Sequence, residues 1–356
     1  MAKVLKDLDY KVVLQPFSVP DRYLAEMKVS HGERWQASAA AQGAVASAKG
    51  NIVDLGTATE VTGDLSGRIA LFTRVAGSEL VQAEAAAAKG AAAVLIANVP
   101  TAAFPERKAA AFAPALAEPV AVPVIGIAQY HGERIRAGVS KLSLTVTHHA
   151  SLTSYNVLAE RKATFPNPDG DVVMVSAHYD SVPGSPGAND DGSGTVLCLE
   201  LARALRRLPT QKALRFALSG SEEYGLIGST HYVAGLTDAE AGNIAGCFQN
   251  DMVATSHSPA TRYWLLSVDG ADNATTAAVS AAAGRLGYTG QISAPTARGS
   301  SDHVPFFERG IASGNFSWRG EGAPSELPIY HTPEDTIKKN VSLERLQVSL
   351  ELIGSA

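Results

Sequence analysis

SAHYDSVPGSPGANDDGSG, residues 176–194, places one histidine and three aspartates in a loop between two apolar segments. DVVMVSA (171–177) enters it as a buried strand, and the 195–207 segment leaves it as a helix. His178 and Asp180 therefore stand where a strand ends, and Asp190 and Asp191 where a helix begins. Gly187, Gly192 and Gly194 allow the backbone to turn tightly around them.

The same arrangement recurs downstream. ALRFALS (213–219) runs into GSEEYG and delivers Glu222 and Glu223, and NIAGCFQ (243–249) runs into NDM and delivers Asp251. Strand-like runs at 154–160, 171–177, 213–219, 243–249 and 263–268 alternate with helical runs at 195–207, 272–287 and 342–354. Continuous apolar strands alternating with amphipathic helices predict an α/β fold, a mostly parallel mixed sheet with helices on both faces. In such sheets ligands gather beyond the carboxyl ends of the strands, where these acids and the histidine stand.

Imidazole with carboxylate suits zinc, manganese or cobalt, whereas calcium calls for oxygen ligands alone. HExxH is absent, so ligands come from separate loops, and YHTPEDT (330–336) adds Tyr330 and His331. Asp190 is placed to bridge two ions about 3.5–4 Å apart. Three carboxylates (Asp190, Glu223 and Asp251) with one bridging hydroxide balance two divalent cations; a single ion would leave a net negative charge that is costly to bury. Glu222 then remains to take a proton from the metal-bound water and return it to a leaving amine. Serine-hydrolase chemistry finds no G-x-S-x-G elbow at the strand ends.

HYDSVPGSPGANDDGSG, SGSEEYGLIGSTHYV, NDM and YHTPEDT together resemble the motifs of the co-catalytic double-zinc aminopeptidases, the aminopeptidase S and aminopeptidase Y family, in the same order over nearly all of 150–356. The resemblance implies the zinc exopeptidase fold and two zinc ions per chain. His178 and Asp251 would bind one ion, Glu223 and His331 the other, with Asp190 between them. It implies that Glu222 is the general base acting through a metal-bridging hydroxide, that Tyr330 hydrogen-bonds the oxyanion, and that Asp180 orients His178. A cis peptide between Asp190 and Asp191 is implied as well. GSSDHVPF (299–306) departs from relatives that carry Arg-Ser-Asp-His: Ser300 stands in the arginine's place, with Arg298 two residues earlier.

Between these parts lies an Ala-, Gly- and Val-rich stretch. SGRIALFTR (66–74), AAAVLIANV (91–99), VPVIGI and SKLSLTVTHH read as strands, and SELVQAEAAAAKG as a helix ending at Gly90. GRIALFTR, KGAAAVLIAN and VPVIGIAQYHGERI resemble a protease-associated domain, a small β-rich module. The expected division is a catalytic domain of residues 1–38 and 150–356, with the inserted domain at 39–149.

The 356 residues are 46% hydrophobic and 18% charged with a net charge of −5, which gives no basic surface for nucleic acid or acidic membrane. No apolar run is long enough to span a bilayer. Cys198 and Cys247 lie in apolar segments and read as small buried residues. The N-terminal MAKVLKDLDYKVVLQPF reads as a helix feeding a strand rather than a secretory leader. That fits a mature secreted or periplasmic protein, with a cytoplasmic one as the alternative.

The expected activity is removal of N-terminal residues from peptides with a free amine. A carboxypeptidase on the same scaffold would need a cationic pocket, for which Arg298 and Arg319 are the candidates. A glutaminyl cyclase would use one zinc, and a metal-free binding ectodomain would lack ligands; all five are present.

Overall fold

The computed structural model describes residues 1–30, 32–101, 108–258, 260–320 and 329–356. The chain opens with helix α1 (Ala2–Asp7) and strand β1 (Lys11–Val19). A barrel unit follows: β2 (Arg22–Val29), β3 (Arg34–Ala39), β4 (Ser47–Gly56), β5 (Ile69–Thr73), α2 (Glu79–Ala88), β6 (Ala93–Ala97), β7 (Val124–Ile127), α3 (Gln129–Arg136) and β8 (Lys141–His149). The larger unit continues with β9 (Leu152–Arg161), β10 (Val172–His178), α4 (Gly192–Leu205), β11 (Ala213–Ser219), α5 (Ile227–Ala234), α6 (Asp238–Gly242) and β12 (Ile244–Asn250). It ends with β13 (Arg262–Ser267), α7 (Ala274–Leu286), β14 (Thr296–Ala297), α8 (His303–Glu308), β15 (Ser313–Arg319), α9 (Ile337–Asn340) and α10 (Leu343–Ser355).

The large sheet has the order β1-β9-β11-β10-β12-β15-β13-β14. Its centre, β11-β10-β12-β15, is parallel, and antiparallel pairs flank it. Crossover helices cover both faces, as parallel strands require. On one face α4 sets Leu197, Cys198, Leu201 and Ala202 against the sheet, a helical-period stripe, beside Val279 and Ala283 of α7 and Leu352 of α10. On the other, Met174, Ala217 and Cys247 meet Tyr232 and Val233 of α5 and Phe306 of α8. Both cysteines are buried and free.

Strands β2-β3-β7-β6-β5-β4-β8 close into a barrel. Met27, Ile69, Leu71, Leu95, Ile125 and Leu144 belong to one of its apolar clusters, and α2 packs against another. β2 and β3 up to residue 38, expected in the catalytic domain, belong to this barrel. β2 alternates buried and exposed residues and pairs with both β3 and β8. The chain passes between the units on adjoining antiparallel ribbons, Val19 opposite Leu152 and Arg22 opposite His149. Among the described residues, no helix is long and apolar enough to cross a membrane.

Candidate metal centre

β11, β10 and β12 lie side by side and parallel, so their carboxyl ends share one edge of the sheet. His178 is the last residue of β10, Glu222 and Glu223 follow β11, and Asp251 follows β12. Asp190 precedes α4, and His331 lies in the segment between β15 and α9. The peptide between Asp190 and Asp191 is cis. Ser221, Met252 and His331 take positive φ without being glycine, at or beside the cluster residues. The chain holds an unfavourable backbone conformation there only because surrounding contacts enforce it.

Two groups of donor atoms form, His178 with Glu222 and Asp251, and Asp190 with Glu223 and His331, each within 4.8 Å. Asp190 joins them: one carboxylate oxygen lies 3.3 Å from His178 Nε2 and the other 2.9 Å from His331 Nε2. His331 Nε2 is also 3.1 Å from Glu223, and His178 Nε2 is 3.9 Å from Asp251. The first group differs from the expected ligand set in one member, with Glu222 where Asp190 was assigned.

Neighbours fix which atoms face inward. His178 Nδ1 donates to the backbone carbonyl of Asp180 at 3.1 Å, which turns the Nε2 lone pair into the cluster. The Asp180 carboxylate lies 3.7 Å from the same ring and accepts the backbone N–H groups of Glu222 and Glu223 at 3.0 and 3.2 Å. It thus ties the end of β10 to the turn after β11. Asp251 accepts the Ser301 hydroxyl on Oδ2 at 2.9 Å, leaving Oδ1 to the cluster.

Three supports were not read from the sequence. Asp191 caps α4 at Gly194 N–H and also accepts from His178 and Met252 N–H. Asp335 accepts the N–H groups of Asn189 and Asp190 and the Asn340 amide. Asn189 bridges to Thr255 and Ala254. A Cβ at Gly194 would lie 2.2 Å from the Asn250 carbonyl, so only glycine fits there. The one available signal was the density of Asn and Asp before a helix.

His178 Nε2, Asp190 Oδ2, Glu223 Oε1, Asp251 Oδ1 and His331 Nε2 are buried and make no hydrogen bond. Buried polar atoms are ordinarily satisfied, and these converge on one space with the nitrogen and oxygen donors that zinc takes. The donor set fits a metal. Burial pushes the Glu222 carboxyl up to about 10, with Asp302, Asp251 and Glu223 adding to it against the His178 imidazole. Burial and Asp190 raise Glu223 too. Although burial opposes both, Asp190 is held below the carboxylate range by the two imidazoles, and His331 is raised to about 9 by Asp190 and Glu223. Such a cluster is short of positive charge.

Tyr330 stacks on the His331 ring with centroids 3.6 Å apart. Ser300 is exposed, and the Arg298 carbonyl accepts from buried His303 at 2.8 Å. Asp302 is buried. Asn315 and Asn340, each the first residue of an Asn-x-Ser triplet, are wholly buried, so neither offers a glycan site in the fold.

Residues 156–355 match Peptidase family M28, and residues 33–135 match the PA domain. The chain is 36% identical over 364 residues to Aminopeptidase YwaD of Bacillus subtilis, covering 100% of this chain and 77% of that one. It is 34% identical over 278 residues to a probable leucine aminopeptidase 2 of Aspergillus fumigatus, covering 74% of this chain and 53% of that one. Among solved structures, BSAP, a zinc aminopeptidase from Bacillus subtilis, superposes with a TM-score of 0.72 at 36% identity, over 99% of this chain and 85% of that one. An aminopeptidase from Aneurinibacillus sp. strain AM-1 gives 0.59 at 32% identity, with 99% and 85% coverage.

Proposed function

The chain belongs to Peptidase family M28 and carries a PA domain, and from that membership we propose that it is a zinc-dependent aminopeptidase with two zinc sites. The observation that carries the two-site reading is Asp190, whose two oxygens face one histidine each, both imidazole Nε2 atoms being buried without a hydrogen bond. In this reading His178 and Asp251 hold one ion, Glu223 and His331 the other, and Asp190 both. Zinc at such a donor set supplies Lewis acidity that polarises a carbonyl and acidifies water.

This chain's residues do the rest. Glu222 is bound to β10 through its own N–H and Asp180, and its carboxylate faces the same space as His178 and Asp251. It takes a proton from the attacking water as the carbon–oxygen bond forms. It then delivers that proton to the leaving nitrogen as the carbon–nitrogen bond breaks. Burial raises its affinity for protons, and cations beside it would lower that affinity towards the range a base requires. Tyr330, held against the His331 ring, donates its hydroxyl to the developing oxyanion. The surrounding carboxylates receive the substrate's α-ammonium, which restricts cleavage to the first peptide bond.

A panel of aminoacyl arylamides tests this against N-acetylated and carboxyl-blocked peptides. Cleavage requires a free amine and tolerates a blocked carboxyl terminus. Cleavage of N-acetylated peptides at their carboxyl end would overturn the reading in favour of a carboxypeptidase.

A further inference from the structure

A cavity of about 570 Å³ lies between the barrel and the catalytic unit, and neither alone encloses it. The barrel contributes Leu24 and Glu26 of β2, Gln36 of β3, and Thr145 and Thr147 of β8. The catalytic unit contributes Ser181, Val182 and Tyr224. Ser181 directly follows Asp180 and Tyr224 directly follows Glu223, so this wall begins one residue along the chain from the two turns that Asp180 clasps together. Arg22 of the barrel stacks on the Tyr224 ring at 3.5 Å.

The barrel is seated against the loop that leads from Asp180 to Asp190. Gly184 lies so close to β3 that a Cβ there would stand 2.7 Å from the Gln36 carbonyl. A second cavity of about 410 Å³ adjoins, lined by Trp35 and His131 of the barrel and by Gly184 and Pro333 of the metal-bearing loops. The barrel therefore borders both segments that supply the histidines.

We propose that the cavity between barrel and catalytic unit binds the leaving portion of the substrate, the residues beyond the scissile bond, as a short extended peptide. The inference rests on the aminopeptidase reading. With the α-amine fixed among the carboxylates, one residue occupies that side, and a space larger than a single side chain serves the other. Its lining also suits a peptide: hydroxyls, an amide and a carboxylate to meet backbone groups, with Leu24, Val182 and the Tyr224 ring for side chains. Folded polypeptide does not fit a space of this size, so the substrates are short peptides or free N-terminal tails.

Thr147 is exposed on the outer face of β8, where tryptophan suits a strand and would fill the space. The test takes the best residue X from the arylamide panel and measures kcat/KM for X-Ala, X-Ala-Ala and X-Ala-Ala-Ala against the X-arylamide. In the wild type, kcat/KM rises about tenfold from dipeptide to tetrapeptide; in Thr147→Trp, the tetrapeptide-to-arylamide ratio drops about tenfold. A flat wild-type series overturns the inference, as does a variant ratio equal to wild type. Should Thr147→Trp fail to fold, the wild-type series and the neighbouring Thr145→Trp decide. An enzyme cleaving peptides but no free-amine arylamide keeps the cavity and discards one substrate probe, and the rise with length alone then decides. Loss of all free-amine activity overturns the aminopeptidase reading itself.

Discussion

Two inward-facing donors, His178 and Asp251, are each set by a neighbour that removes the alternative. Ser301 occupies one oxygen of Asp251 and leaves the other to the cluster. Ser301→Ala leaves that oxygen only the longer Asn315 contact at 3.5 Å and lowers zinc affinity by about ten- to a hundredfold, measured by competition with a chromogenic chelator. The residue types at the strand ends were legible because metal chemistry calls for few side chains. Ser301, Asp191 and Asp335 were not, because their partners are remote in sequence and two of them serve mainly backbone N–H groups. In the barrel, His131 of α3 stacks on Trp35 at 4.6 Å, and burial, aided by Arg134, lowers it to about 4. Since the folded value lies below the ordinary 6.5, its contribution to stability is complete above pH 6.5 and is lost as pH falls towards 4. In His131→Leu the decline of melting temperature across that window becomes shallower, as calorimetry would record.

Among elements, α4 matters most, because its first turn is also the support of the metal loop. Asp191 caps the helix and at once holds the end of β10 and the turn after β12. Asp191→Ala leaves those donors without an acceptor and lowers stability by roughly 2–4 kcal/mol, read from urea unfolding. The parallel strands β10, β11 and β12 were legible from apolar runs of the right length. β15, SGNFSWR, was not read as a strand: its Gly, Ser and Asn residues carry weak β propensity, yet all seven positions are buried between covered faces. The start of the barrel was misplaced for a different reason. β2 and β3 continue the strand character of β1, and only the pairing of β2 with β8 and of β3 with β2 and β7 assigns them to the second unit.

At the scale of the molecule, the two units are joined by the cleft, the paired crossings and the metal loops. On the two-zinc reading, zinc stabilises the chain to the extent that it prefers the native state, and its removal leaves the buried carboxylates without countercharge. Chelation lowers the unfolding free energy by about 4 kcal/mol for each of the two sites at a free zinc level 1,000 times that site's dissociation constant, and added zinc restores it. The α/β architecture was legible from apolar strands alternating with helices, and the zinc exopeptidase fold from the resemblance of four motifs in the family's order. What the barrel does to the cleft was not, since that depends on how two separately read units meet. The most direct measurement pairs elemental analysis with arylamide hydrolysis in wild type and Glu222→Ala. The account predicts about two zinc ions per chain in both proteins, and a loss of activity in the variant of roughly a hundredfold or more. A variant with full activity, or a wild type saturated by a single ion, would contradict it.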